Sequence, residues 1–171
     1  MPYKTTLIAG SSEERRYFLF RKTIEKLKRE DTVIISIGYW ERFDSLSSQE
    51  GIDWLLESFR YLEAPKNTLI VIDDIVPLFD TPKGYLVPLL LELYEEKGVR
   101  FIFGTSRVSS DYLTPHILSL CSSIASTKLR SEMQSRLLFG TKGAENLTDN
   151  EYMMKRKGNI TKGTLSECLK L

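Results

Sequence analysis

The chain has 171 residues, of which 42% are hydrophobic and 27% charged, and its formal net charge is +1. That length suits one domain with a sizeable core, so a single domain over 1–171 is expected. The charge balance removes any global demand for nucleic acid or an anionic surface, no apolar run approaches the roughly 18 residues of a membrane span, and Cys121 and Cys168 are too few for a disulfide framework. Reduced thiols, no membrane insertion and no signal-peptide pattern over 1–4 are the features expected of a cytoplasmic protein.

Residues 5–9 form a short apolar strand, and Gly10-Ser11-Ser12 breaks it. A helix is expected over 13–29, with Phe18, Ile24 and Leu27 near one face. Ser11 or Ser12 can cap it, and Glu13 and Glu14 suit the positive end of its dipole. Strand, glycine turn and helix is the layout of a phosphate loop. A second strand covers 31–37 and stops at Gly38. Residues 39–49 read as a polar, aromatic connection. The next helix covers 50–62, with Ile52, Leu55, Leu56, Phe59 and Leu62 on one side, and Pro65 closes it.

Residues 67–75 are the centre of the pattern. Leu69-Ile70-Val71-Ile72 reads as a strand buried on both faces, and Asp73-Asp74 follows at once. Open α/β sheets bind ligands at the C-terminal ends of such strands. Phosphate-loop NTPases hold magnesium with an acid in this place, although two solvated acids closing a strand is the plainer alternative. A loop is expected over 77–82 and a Leu-rich helix over 84–96, with Pro88 in its first turn and Lys97-Gly98 as its stop. A strand follows over 99–103, ended by Gly104. Residues 109–120 pass from loop into helix at Pro115, 122–126 form a fifth strand, 132–138 a short helix, and 152–161 a closing hairpin around Lys157-Gly158. Alternation of strand and helix predicts a mostly parallel sheet wrapped on both faces.

Other features point elsewhere less sharply. His116 stands alone and has no second ligand at metal spacing. Neither cysteine has a histidine nearby in sequence to make a thiol nucleophile. Lys128, Arg130, Arg136, Lys142, Lys155, Arg156, Lys157 and Lys162 make the last third basic, which suits either a nucleic-acid face or a solvated rim balanced by Glu132, Glu145, Asp149 and Glu151. Tyr39, Trp40 and Phe43 beside Arg42 could stack on single-stranded bases or cover a core, whereas Trp54 and Phe59 belong to a core-facing helix.

Three stretches carry a resemblance in the correct order. They are Leu69-Ile70-Val71-Ile72-Asp73-Asp74; then Gly98-Val99-Arg100-Phe101-Ile102-Phe103-Gly104-Thr105-Ser106-Arg107 with Ser109, Asp111, Leu113 and Thr114; then Ser131-Glu132-Met133-Gln134-Ser135-Arg136 with Gly143-Ala144-Glu145-Asn146-Leu147. Together they resemble the motor domain of FtsK/SpoIIIE translocases, within the HerA–FtsK group of RecA-like P-loop ATPases. The resemblance implies a three-layer RecA-like α/β fold with a mostly parallel sheet and a C-terminal hairpin. By position it implies that Asp73 holds magnesium, that Asp74 replaces a catalytic glutamate, and that Ser106 replaces a glutamine that senses the γ-phosphate. Arg136 would meet a neighbouring subunit's nucleotide, or it is simply a surface arginine on a helix.

The front third departs from the family. A working phosphate loop reads Gly, four residues, Gly-Lys, then Ser or Thr. From Gly10 that spacing places Arg15 at the second glycine, Arg16 at the lysine and Tyr17 at the hydroxyl. A side chain at the second glycine obstructs close approach, a guanidinium fork replaces a point ammonium, and the magnesium-binding aliphatic hydroxyl is lost. Ser11, Ser12, Arg15 and Arg16 beside a helix start could still meet an anion. The expectation is a pseudo-ATPase with a degenerate Walker A and a retained Walker B segment. It would bind no cofactor tightly, and ATP with magnesium at most weakly. It would serve as a non-hydrolysing structural or regulatory module of a larger DNA- or protein-translocating assembly, with DNA reached through the basic last third and weak homo-oligomerisation. The alternatives are an active ATP-dependent DNA translocase with an unusual phosphate loop, and a protein-substrate receptor domain of a type VII-like secretion ATPase.

Overall fold

Short apolar runs without charge can sit only in a sheet covered on both sides. The computed structural model describes residues 5–30, 32–38, 45–61 and 68–166, and it places these runs side by side. Strands β1 (Thr5–Ala9), β4 (Thr68–Ile72), β5 (Arg100–Thr105) and β6 (Ser123–Ser126) are buried along their whole length. Strand β2 (Val33–Ile37) is more exposed, and β3 (Ser45–Leu46) is a two-residue edge. Strands β7 (Glu151–Arg156) and β8 (Asn159–Thr164) complete an eight-stranded sheet in the order β3-β2-β4-β5-β1-β6-β7-β8. The first six run parallel, and β7 and β8 are antiparallel additions. The C-terminal ends of β4, β5, β1 and β6 therefore lie in a row on one edge.

Helix α1 (Glu13–Leu27) covers one face, burying Leu19, Phe20 and Ile24 against Ile8, Val71 and Ile102. Phe18 and Leu27, expected on the same face, are partly buried and pack against this cluster. Helices α2 (Ser48–Tyr61), α3 (Val76–Phe79), α4 (Val87–Glu96), α5 (Pro115–Leu120) and α6 (Glu132–Phe139) cover the other face. The result is the expected three-layer α/β architecture with a mostly parallel sheet and a C-terminal hairpin. Lys157 and Gly158 both have positive φ, +49° and +80°, as a two-residue turn matching strand twist requires.

Three expectations are corrected. Residues 77–82 are not loop throughout, because α3 occupies Val76–Phe79 and Pro77 sits in its first turn, where the missing N–H costs no bond. Gly104 does not end its strand, since β5 continues through it to Thr105. A Cβ at Gly104 would lie 2.2 Å from the Asp73 carbonyl oxygen and 2.7 Å from the Phe20 ring, so this glycine admits two close neighbours rather than a turn. Part of 39–49 is also ordered differently from a plain connection: β3 lies there, and α2 begins at Ser48. Tyr39, Trp40, Arg42, Phe43 and Cys168 lie outside the described residues.

Candidate functional site

The row of strand ends assembles the sequence candidates. Gly10 follows β1, Asp73 and Asp74 follow β4, Ser106 follows β5, and Thr127 follows β6. Between β1 and α1 there are three residues, Gly10, Ser11 and Ser12. Ser12 is the N-cap of α1, its Oγ accepting from the Arg15 amide at 3.4 Å, and Glu13 is already helical. Ser11 donates its hydroxyl to the Lys128 carbonyl at 3.1 Å. A working phosphate loop spaces four residues between its glycines before its lysine. Here Arg15, Arg16 and Tyr17 instead lie in the first turns of α1.

Arg16 is 5% exposed. Its guanidinium Nη1 donates to the Gly10 carbonyl at 2.7 Å, so the side chain folds back over the turn that precedes its own helix. Tyr17 donates its phenol to Asp73 Oδ2 at 3.0 Å. Arg15 points outward and pairs with Asp149 at 2.7 Å, joining α1 to the segment before β7. The arginines that might have shared an anion therefore diverge. Gly10 is held close to β6, since a Cβ there would lie 2.0 Å from Thr127 Oγ1.

Asp73 and Asp74 have different surroundings. Burial is the main force raising the Asp73 carboxyl above its usual range. The Tyr17 phenol and the Arg16 charge pull it back down, while Asp74 and Glu13 push it up. The same Asp73–Tyr17 contact, added to burial, raises the Tyr17 phenol well above a free tyrosine. Asp74 serves as a brace. Its Oδ1 accepts from the Val76 amide at 3.0 Å at the start of α3, and its Oδ2 accepts from the Ser106 hydroxyl at 2.7 Å and the Ser106 amide at 3.2 Å. Ser106 and Asp74 are thus brought together, bonded to each other. Three buried polar atoms of this edge, Arg16 Nε, Asp73 Oδ1 and Thr127 Oγ1, have no hydrogen-bond partner among the described residues.

The other motif residues build the supports. Ser109 and Asp111 hold a turn, and Thr114 caps α5 through the Ile117 amide. Ser135 is fully buried. It donates to the Thr141 carbonyl at 2.9 Å and accepts from the Ala144 amide at 3.1 Å, tying α6 to the Gly143-Ala144-Glu145 segment. Arg136 faces outward on α6, where Glu132 holds its guanidinium at 2.7 Å. His116 lies 3.6 Å from Glu92 across α5 and α4.

Compared by sequence, the chain matches no family model and no curated protein. Compared by structure, it superposes on the pCW3 conjugation coupling protein TcpA with ATPγS at a TM-score of 0.73, with 11% identity, covering 98% of this chain and 64% of that one. The genome packaging NTPase B204 of Sulfolobus turreted icosahedral virus 2, with ATPγS, gives 0.67, with 16% identity over 96% of this chain and 98% of that one. The cytoplasmic domain of the Thermomonospora curvata type VII secretion ATPase EccC gives 0.66, with 13% identity over 94% of this chain and 25% of that one. The chain has the fold of FtsK–HerA-type P-loop ATPases.

In this FtsK–HerA fold the strand-end row is where the sequence resemblance placed the nucleotide. Sequence reasoning found Gly10, Asp73, Asp74 and Ser106, and the fold brings them to one edge. It did not find the Tyr17–Asp73 bond or the place of Thr127. No spacing rule marks Thr127, and Tyr17 reads by motif only as a missing hydroxyl. Asp73 Oδ2 already takes the Tyr17 phenol, the Ser11 and Ser12 hydroxyls face Lys128 and the helix cap, and Arg16 turns to Gly10. Asp73 Oδ1, buried and without a hydrogen-bond partner among the described residues, is an acid oxygen at this edge that could meet a cation, and the Glu13 carboxylate lies beside it.

Proposed function

We propose that this chain is a non-hydrolysing FtsK/HerA-type module, a structural or regulatory part of a larger DNA- or protein-translocating assembly. The observation that carries the reading is Arg16. Its guanidinium lies inside the turn after β1 on the Gly10 carbonyl, where the family places a backbone cradle and a lysine for phosphate. An internal cation there serves the loop itself, and the Tyr17 phenol serves the neighbouring Asp73 carboxylate. The turn is then held together by its own side chains, whereas neighbours of this fold were solved with nucleotide analogues.

Calorimetric titration with MgATP tests the reading. The expected result is no saturable binding below roughly millimolar ligand, where binding free energy falls to about −4 kcal/mol. Micromolar binding with steady phosphate release would overturn it.

A second reading keeps an active DNA translocase. The buried Asp73 Oδ1 and the Asp74–Ser106 pair at the strand ends favour it. It requires DNA-stimulated hydrolysis that disappears in Asp73→Ala. The assembly, its cargo, weak self-association, and cytoplasmic placement are parts of the proposal. Support comes from the names of the structural neighbours, which describe conjugation coupling, genome packaging and type VII secretion. Among the described residues no helix is long and apolar enough to cross a membrane.

A further inference from the structure

We propose that a cleft at the opposite edge of the sheet docks a short segment of a partner protein, one that sets an apolar side chain beside carboxylates. The cleft lies between α5, α6 and the β7–β8 hairpin and has a volume of about 350 Å³. Leu118, Ile124, Leu137 and Leu138 form its apolar floor, and Lys155 and Lys157 stand on its hairpin side. Ser122 on its wall bonds the carbonyl of Thr5, the first residue of β1, through both its amide (3.0 Å) and its hydroxyl (2.9 Å). The cleft is therefore at the N-terminal end of β1, about 17 Å from Gly10 at the strand rise of roughly 3.3 Å per residue. It is independent of the nucleotide-type edge and of the reading given to it.

Charge selects the occupant. Several other basic residues of the last third have acids beside them: Glu132 pairs with Arg136, and the charges of Lys142 and Lys162 add to the hydrogen bonds that hold Glu145 and Glu151 ionised. Lys155 and Lys157 form no ion pair among the described residues, and no acid lines the cleft. The acid behind it, Glu95 of α4, faces Cys121 and accepts from the Thr5 hydroxyl at 3.5 Å. The volume suits two or three side chains, at the small end of ligand pockets. An apolar floor with two unanswered lysines on one rim fits a leucine-like anchor followed by acidic residues. The lysines would supply orientation and association rate, and the floor would supply affinity.

Cys121 lines the wall, and its thiol donates to the Ile117 carbonyl at 3.3 Å. The test uses the full chain and three fluorescein-labelled hexapeptides: two leucines among four glutamates, the same with lysines for the glutamates, and the same with serines for the leucines. Fluorescence anisotropy should show the Leu/Glu peptide binding at least tenfold more tightly than either control. Lys155→Glu/Lys157→Glu, two surface changes checked by circular dichroism, should weaken it at least tenfold. Three results would each overturn the proposal: equal binding of all three peptides, binding indifferent to the lysine reversals, or displacement by a single-stranded oligonucleotide in preference to the peptide.

Discussion

Tyr17→Phe isolates the contact that ties α1 to the carboxylate at the end of β4. The substitution keeps the ring and removes the phenol that donates to Asp73 Oδ2 at 3.0 Å. A hydrogen bond to a charged group contributes about 1.5–3 kcal/mol net. Asp73 is partly solvated, so that range is discounted for solvent screening to about 1–2 kcal/mol. For a domain of this size each kcal/mol moves Tm by about 2–4 °C, giving a loss of about 2–8 °C at neutral pH. The sign with pH follows from Asp73. Its folded pKa is raised by burial, so its contribution to stability is fully present below the unfolded carboxylate value and is lost as pH rises through the folded one. The Tyr17 bond lowers that folded pKa, so removing it raises the value further. The mutant should therefore fall short of the parent most at neutral pH, and the gap should close as pH drops below about 4, where both carboxyls are protonated. Exposed acids held low by their neighbours, such as Asp53, Glu145 and Glu151, weaken both proteins alike on acidification and cancel in the difference. Thermal melts by circular dichroism at several pH values measure it. Equal melting at neutral pH, or a gap that widens toward acid, refutes the reasoning.

Gly104→Ala should destabilise by about 3 kcal/mol or more, because the new Cβ meets the Asp73 carbonyl at 2.2 Å and backbone cannot step aside cheaply; urea unfolding measures it. Ser135→Ala should cost about 2–4 kcal/mol, since it strands the Ala144 amide and the Thr141 carbonyl together, and Ser135→Thr should not restore the loss if the pocket is as closed as its full burial indicates. In an alkaline spectrophotometric titration, Tyr17 and Tyr94 should resist ionisation when exposed tyrosines titrate near pH 10, Tyr94 because burial pushes it to about 12. Both phenols carry raised folded values, so their stabilising contribution holds below the unfolded tyrosine value and is lost as pH climbs past the folded one.

The sheet was legible because burial leaves little choice. A run such as Thr68–Ile72 cannot face water on either side, and each of the main strands announces itself this way. Short elements were not legible. The α3 turn at Val76–Phe79 contains Pro77 and no polar face, so neither periodicity nor propensity marks it. It is shaped instead by Asp74, which reaches the Val76 amide at 3.0 Å. Gly104 misled for a related reason: glycine signals both chain reversal and close approach, and only the Asp73 carbonyl and Phe20 ring decide between them. At the site, the identity of Asp73 could be read, whereas its partner Tyr17 lies 56 positions away and shares no motif with it.

The spacing of the turn after β1 carries more weight than any one replaced residue in it. A phosphate grip is made chiefly by successive backbone amides arching over the anion, with the lysine added afterwards. That arch needs chain outside the helix. Here Ser12 caps α1 and Glu13 begins it, so the residues that motif spacing would spend on the arch already lie in the first turn of a helix. Arg16 then finds the Gly10 carbonyl within reach because the helix starts early, and its burial against Gly10 follows from the same geometry. Restoring glycine, lysine and threonine at Arg15, Arg16 and Tyr17 would change side chains on a helix without lengthening the turn. The cap at Ser12 and the acids at Glu13 and Glu14 keep the first turn helical and negative, which suits a helix dipole and repels a triphosphate.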